Sequence, residues 1–434
     1  MERVRAGTPG FADAIRSPSR SLKLVVATLA ILLGVLSITV YAEQYRTTDR
    51  FTKDFALDYV SAKAVLDGRD PYTPIHDLVR DYLHPPAKIL KDVLPGANWH
   101  TPFKLLLTLP LALLPYRAAG IVWLLLSSAA YVGAALLLAA GLGWKRSTGF
   151  VLGVGMLIIP VVQKDLSTGN LNGELLLLLV AAWYLARRRR DGWAGAYIGL
   201  AAALKVFPGL MLLPFIAARR WKAVSAALSS SVAFTALGLV ALGPSKAVGY
   251  VRAGAGSQGF RYWDASPANV GWWGMATRWL SPNGWVPHMD LEALGLAFAL
   301  AGVVVFFLLA ARPRWGLSGD PFWSAAPLML LIWPIVWDHY LVLVLPWVVL
   351  VLLRAPSFDR RTLVFSCLVV LPLLIGLLPG GPSLAEIEPW RAATIFQLPT
   401  LALIGAVALD RRRDRIADGD SVASGPTVRI RAAS

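Results

Sequence analysis

Asp58, Lys205 and His339 are the three residues of this 434-residue chain whose types and settings are most suited to chemistry. Asp58 stands in Lys53-Asp54-Phe55-Ala56-Leu57-Asp58-Tyr59-Val60, ahead of Asp67-Gly68-Arg69-Asp70-Pro71-Tyr72. It follows an apolar run at 22–42 by only 16 residues, so it can lie close to a membrane surface. A carboxylate there could take a proton from a hydroxyl as general base, or be solvated or paired with Lys53 or Lys63. Lys205 interrupts an apolar stretch in Ala203-Leu204-Lys205-Val206-Phe207-Pro208. A charge at membrane depth is costly and by default marks a functional site. A lysine suits phosphate as a point charge; the alternative is snorkelling to an interface. His339, in Trp337-Asp338-His339-Tyr340, can donate to a phosphate or shuttle a proton. The same turn also fits an interfacial aromatic belt.

A second tier of candidates binds rather than reacts. Gly169-Asn170-Leu171-Asn172-Gly173-Glu174 opens an apolar segment. Asn170, Asn172 and Glu174 there can bind hydroxyl groups or cap a helix, and capping explains one Asn better than two followed by an acid. His100, in Trp99-His100-Thr101-Pro102, enters the apolar region from a polar one. Phe260, Tyr262, Trp263, Trp272, Trp273, Trp279 and Trp285 crowd one polar segment beside Arg261 and Arg278. Their faces suit sugar rings or the headgroup interface. Trp337 and Asp338 belong with this tier. His76, His84 and His100 match no metal-ligand spacing. No P-loop or dinucleotide fingerprint occurs, which argues against a nucleotide-driven enzyme or pump.

The elements that must position these residues are membrane helices. The chain is 56% hydrophobic, and apolar runs near the ~20 residues that span a bilayer recur along it. The run at 22–42 is too long for a cleaved signal peptide and is expected to be retained. The net charge of +16 is not a nucleic-acid signature, because the basic residues sit in short clusters between apolar runs, as in cytoplasmic loops. Cys367 is the single cysteine, so no internal disulfide or redox motif exists.

Sides follow from Lys and Arg. The tail with Arg3, Arg5, Arg16 and Arg20 is inside, and 22–42 runs outward. Residues 43–101 form a long external segment with 8 basic and 9 acidic residues. The stretch 103–114 is too short to span comfortably and ends at Pro115, so it reads as re-entrant. Residues 118–140 return inside, 149–162 go out, 164–171 turn outside, and 172–186 come in to Arg187–Arg190. Residues 193–218 start and end inside, broken near the outer side at Lys205 and Pro208. Residues 224–242 go out to a second external loop at 243–290. Then 291–311 come in, 322–337 go out, 340–353 come in, 362–378 go out and 393–409 come in. The five inner connectors carry 14 basic residues against Asp191, Asp320 and Asp359, so the assignment is self-consistent. The expected fold is an all-α polytopic membrane protein of about ten to twelve transmembrane helices. Its organisation is a cytoplasmic tail at 1–21, a transmembrane domain at 22–410 and a polar cytoplasmic tail at 411–434.

Taken in order, these motifs resemble the GT-C class of membrane glycosyltransferases, and more closely glycosyltransferase family 87. The family pattern has an acid in the first external loop, a Gly-x-Asp-x-Tyr, an aromatic-Pro entry, a Gly-x-x-Asn turn, a Leu-Lys-x-x-Pro break and a late aromatic-His-Tyr turn. Here these are Asp58, Gly68-Arg69-Asp70-Pro71-Tyr72, His100-Thr101-Pro102, residues 169–172, residues 204–208 and residues 337–340. The departure is His100-Thr101-Pro102, where many relatives have Tyr-Pro-Pro. The resemblance spans about residues 20–410.

The resemblance implies a GT-C-type bundle with a long first external loop, in the plasma membrane, its active site facing the extracytoplasmic side. It implies a polyprenyl-phosphate sugar donor, with mannose the expected sugar, and a glycolipid acceptor such as a phosphatidylinositol mannoside. Asp58 would deprotonate the acceptor hydroxyl and transfer would invert the anomeric centre. Lys205 and His339 would stabilise the leaving phosphate as charge builds on it. Asn170, Asn172, Glu174, His100, Trp272, Trp273, Trp337 and Asp338 would contact sugar or acceptor. No cofactor or metal is expected; the partners are donor, acceptor and membrane lipids, with no nucleic acid. A transporter or flippase also predicts a broken helix with an intramembrane lysine, but not the 59-residue first loop, and no inverted repeat is visible. An envelope assembly protein leaves Lys205 unexplained. Among enzymes, the alternative is an arabinofuranosyltransferase using polyprenyl-phosphate arabinose.

Overall fold

The computed structural model describes residues 53–85, 98, 100–255, 269, 271, 297, 300–304, 320–333 and 335–354. The expected helices at 22–42, 362–378 and 393–409, both tails, Trp272 and Trp273 lie outside the described residues, as does most of 243–290 and 291–311. Among the described residues every named element is helical, and one isolated bridge pairs Asn269 with Trp337.

The expected first external loop contains two helices, α1 (Lys53–Leu66) and α2 (Ile75–Leu83). The apolar entry follows as α3 (Pro102–Ala112), started by Thr101, whose side chain accepts from the Lys104 amide, and by Pro102 in the first turn. Among the described residues two helices are long and apolar enough to cross a bilayer: α4 (Tyr116–Leu142), and α10 (Trp221–Leu242), described below. At 27 and 22 residues they measure about 40 and 33 Å.

The outward segment expected at 149–162 is instead two pieces, α5 (Arg146–Leu157) and α6 (Pro160–Thr168), bent by 68°. Pro160 is the cause: it offers no amide to continue α5 and is pre-set to begin a helix. Residues 164–168, expected in an external turn, are the end of α6. Helix α7 (Asn172–Arg187) returns, and α8 (Asp191–Leu204) follows a tight turn.

The break expected at Lys205 is present. Lys205 is extended, and a 3₁₀ helix (Phe207–Leu212) with α9 (Leu213–Ala217) completes the segment. Helix α10 packs closely on α8. A Cβ at Gly195 would overlap the carbonyl oxygen of Ala223, and one at Gly199 that of Ala227. This is the small-xxx-small approach by which membrane helices gain backbone-level contact. At its far end, a Cβ on Gly238 would strike the backbone of Pro102 and Phe103, so α10 also abuts the start of α3. Helix α11 (Pro244–Ala255) follows. Later come α12 (Pro321–Ile332), a second 3₁₀ helix (Asp338–Val344) and α13 (Leu345–Arg354). One continuous apolar core joins α1, α4, α7, α8, the 3₁₀ helices and α12.

Candidate active site

Helix α1 organises the site because Asp54 and Asp58 are four residues apart and share one helix face. Each heads a separate cluster.

Asp58 is not the solvated loop carboxylate that a polar loop would supply. It is 1% exposed, and among the described residues its ionisable partners are His100 and Lys104. Oδ1 meets His100 Nδ1 in a short contact, and Oδ2 lies 2.6 Å from Lys104 Nζ. Asn98 closes the cluster by donating to Ser61 Oγ at 3.0 Å and accepting from the His100 amide at 3.0 Å. Burial pushes the Asp58 carboxyl upward, but the charges and hydrogen bonds of His100 and Lys104 overcome it and hold Asp58 below the usual carboxylate range. His100 is moved below its ordinary value by burial, with Lys104 adding to the effect and Asp58 and Asp54 opposing it. The imidazole is therefore neutral at neutral pH.

Asp54 heads the second cluster. Asn170 Nδ2 donates to its Oδ2, and His339 Nε2 lies 3.9 Å from the same oxygen. Asn170 Oδ1 in turn accepts from Lys205 Nζ at 2.7 Å. Lys205 is buried, also donates to Tyr340 Oη at 2.8 Å, and sits 4.1 Å from the centre of that ring. Tyr340 is held by Phe207, stacked at 5.4 Å. The interrupted helix thus directs the Lys205 ammonium inward rather than along a snorkelling path. Asp338 pairs with Lys164 and lies 3.4 Å from His339 Nδ1. The turn that presents Asn170 needs glycine, since Gly169 has φ +64° and its Cβ would strike Phe55. Trp123 Nε1 donates to Gly169 O at 2.9 Å and fixes the turn from α4.

Deeper along α7, Asn172 donates to Asp165 Oδ1 at 2.7 Å, and Tyr131 donates to Asp165 Oδ2 at the same distance. Glu174 accepts from Ser127 Oγ at 2.7 Å. Neither Asn172 nor Glu174 caps the helix. Glu174 Oε2, Asn172 Oδ1 and His339 Nε2 are buried without a hydrogen-bond partner among the described residues. Buried polar atoms left so call for a ligand, water or functional explanation.

Thr101 joins the two clusters. Its Oγ1 donates to the carbonyls of Ala203, at 2.6 Å, and Leu204, at 3.2 Å, which are the last of α8 before Lys205. The entry beside His100 is therefore tied to the Lys205 break.

Of the residues singled out in the sequence, Asp58 and His100 come together in one cluster, and Asn170, Lys205, Asp338 and His339 in the other. Asn172 and Glu174 sit beneath them, and Trp337 flanks the second. Asp54, Asn98, Lys104, Lys164, Asp165 and Tyr340 were missed as participants. Lys104 carried a usable signal, being a lone charge within the apolar run of α3 four residues after His100.

Interrupted apolar helices thus close over a buried acid–histidine–lysine cluster and a second, lysine-centred one. The chain belongs to glycosyltransferase family 87, whose model matches residues 99–334, a little over half its length. It is 25% identical over 331 residues to the polyprenol-phosphate-mannose-dependent alpha-(1-2)-phosphatidylinositol pentamannoside mannosyltransferase of Mycobacterium tuberculosis, covering 73% of this chain and 74% of that one. It is 26% identical over 343 residues to the protein of the same name from Mycolicibacterium smegmatis, covering 72% and 77%. It is also 28% identical over 232 residues to an alpha-(1->3)-arabinofuranosyltransferase of M. tuberculosis, covering 52% and 47%. No solved structure matches it.

Proposed function

We propose that this glycosyltransferase moves mannose from polyprenyl-phosphate mannose to a glycolipid such as a phosphatidylinositol mannoside, on the extracytoplasmic face of the plasma membrane. The observation that carries the proposal is the pair of carboxylates on α1. Asp58 heads a base cluster and Asp54 the cluster holding Lys205 and His339, one helical turn apart. Side chains so spaced have Cβ atoms about 5–6 Å apart, a separation on the scale of one sugar ring.

In this proposal Asp58 is the general base, and its carboxylate takes the proton of the acceptor hydroxyl. The hydroxyl oxygen attacks the anomeric carbon, the bond from that carbon to the phosphate oxygen breaks with inversion, and polyprenyl phosphate leaves. Lys205 and His339 stabilise the charge gathering on the departing phosphate, and they do so in a dry site where such contacts are strongest. Asn170, positioned by both Asp54 and Lys205, orients the sugar, with Asn172, Glu174, His100, Trp337 and Asp338 around donor or acceptor. Trp272 and Trp273, on the second external loop, are proposed to receive the acceptor. The layout of tails outside a single transmembrane domain at 22–410 belongs to the same proposal.

The mannose donor is favoured by relatives that match along about three quarters of both chains. The arabinofuranosyltransferase match, though shorter, supports polyprenyl-phosphate arabinose as the second reading. The test is transfer of radiolabelled mannose from polyprenyl-phosphate mannose to a mycobacterial glycolipid extract, wild type beside Asp58→Asn. Transfer by wild type alone is expected. Transfer only from the arabinose donor selects the second reading, and transfer from neither returns the transporter to consideration.

A further inference from the structure

The turns that lead into α8 and α10 are built alike, and arginine shapes both. Arg188, Arg189 and Arg190 join α7 to α8, and Ala218, Arg219 and Arg220 join α9 to α10. Arg189 has φ +59° and Arg219 φ +53°. The next residues match as well, Arg190 at φ −90°, ψ 60° and Arg220 at φ −84°, ψ 64°. Each of those amides donates to the residue five back, Arg190 to Leu185 O at 3.0 Å and Arg220 to Phe215 O at 2.8 Å. Glycine is the usual residue at a left-handed helix end, because a side chain there crowds the backbone. Arginine accepts that strain in both turns, and strain kept twice at one position calls for a function of the side chain.

Arg220 fastens the turns together. Its guanidinium engages both oxygens of Asp191, with Nε 3.0 Å from Oδ2, and donates to Ala186 O at 2.8 Å. Lys222 reaches across from α10, since a Cβ on Gly192 would lie 3.5 Å from its Cε. Arg189 and Lys222, from different turns, both act on the charge of Asp191. Yet Arg220 already occupies that carboxylate. Among the described residues no acid is within ion-pair distance of Arg189, Arg190, Arg219 or Lys222, and all four are exposed. Like charges gathered this way raise the local potential and attract an anion.

We infer that these clamped turns bind the phosphodiester of an anionic phospholipid, in the leaflet opposite the end that holds Asp58 and Lys205. Helix α7 carries Asn172 and Glu174 at its start and meets the arginines at its end, 16 residues and about 24 Å away, so this phosphate is not the one beside Lys205. Trp193 and Trp221 stand in the first turns of α8 and α10 and are 65% and 60% exposed. Tryptophan so placed marks the headgroup level, and guanidinium forks match phosphate oxygens in pairs. The acyl chains have a track as well. Trp221, Leu228 and Val232 share one face of α10, and all three are exposed. A free phosphate would use the cations and leave that face bare, whereas a lipid uses both. The inference does not depend on which sugar is transferred.

The test adds phosphatidylglycerol to the purified full chain in detergent, and reads bound lipid by native mass spectrometry together with the thermal midpoint. Phosphatidylcholine and inorganic phosphate are run in parallel. Phosphatidylglycerol is expected to be retained and to raise the midpoint, and the other two are not. Arg189→Gly combined with Arg219→Gly keeps the turns, because glycine suits them. It is expected to weaken phosphatidylglycerol binding roughly 30-fold, at about fivefold per cation near a membrane surface. Arg189→Gln combined with Arg219→Gln is expected to do the same. Lys145→Gln combined with Arg146→Gln removes as much charge from another exposed turn, between α4 and α5, and is expected to bind within about twofold of wild type. An equal loss in that control pair, or no loss in the two pairs at 189 and 219, overturns the inference. So does a midpoint raised equally by phosphatidylcholine or by inorganic phosphate.

Discussion

Replacing Lys205 by methionine removes an ammonium whose bonding is nearly accounted for. An ammonium has three donors. One reaches Asn170 Oδ1 and one Tyr340 Oη, which leaves a single N–H for a bound anion. One charge-assisted hydrogen bond contributes about 1.5–3 kcal/mol. At 1.36 kcal/mol per tenfold, its loss lowers kcat/KM for the donor by about 10- to 150-fold. Folding should change less. The two internal bonds are lost, but so is the cost of burying the charge, and methionine fills much the same volume. The assay is initial rate against donor concentration at saturating acceptor, then against acceptor at saturating donor. The deficit is expected along the donor axis. Donor kinetics equal to wild type, in a protein with an unchanged thermal midpoint, would refute the phosphate assignment.

His339→Gln should lower donor kcat/KM in the same sense, and more than additively with Lys205→Met, because both sides of Asp54 are then altered; a double-mutant cycle reads this. Asp58→Asn should abolish transfer and also destabilise the protein, since it strips the buried Lys104 of its counterion at a cost of roughly 3–5 kcal/mol; adding Lys104→Met should recover part of the thermal midpoint but no turnover. Because His100 and Lys104 outweigh burial and depress the Asp58 carboxyl, its stabilisation is complete above the unfolded value of about 3.9 and fades as pH falls below it. The midpoint gap between wild type and Asp58→Asn should therefore hold from pH 7 to about 4 and close under more acid conditions. Gly195→Ala should cost about 1–3 kcal/mol by forcing α8 off α10, seen as a lower midpoint in detergent.

What was legible in the sequence was mostly what a single segment could reveal. A lysine within an apolar run ahead of a proline announces both a broken helix and an inward charge, and Lys205 shows both. The same rule applied to Lys104 would have found the counterion of Asp58, but the run at 103–114 was read for its length rather than for its one charge. Helices α1 and α2 were hidden by the expectation of an external loop, in which Asp58 was weighed against Lys53 and Lys63. Partners far apart in the chain left no local trace. Asp54 meets Asn170 across 116 positions, and Lys164 meets Asp338 across 174. The bend at Pro160 could be read from the proline alone, yet its effect, carrying Lys164 and Asp165 into the site, depends on packing.

Helix α10 is seated on Gly195 and Gly199 at one end and on the first turn of α3 at the other, while Val232, Leu237 and Val240 on its outer side face away from the protein. It is therefore a strut of about 33 Å in a hydrocarbon layer of about 30 Å. A thinner bilayer is met in part by greater tilt, and tilt pivoting on the α8 seat would displace the end that touches Pro102 and Phe103. Those residues adjoin Thr101, which bonds to Ala203 ahead of the α8 break, and Lys104, which pairs with Asp58, so a shift of that end would bear on the spacing between the acid on α1 and the lysine at the break.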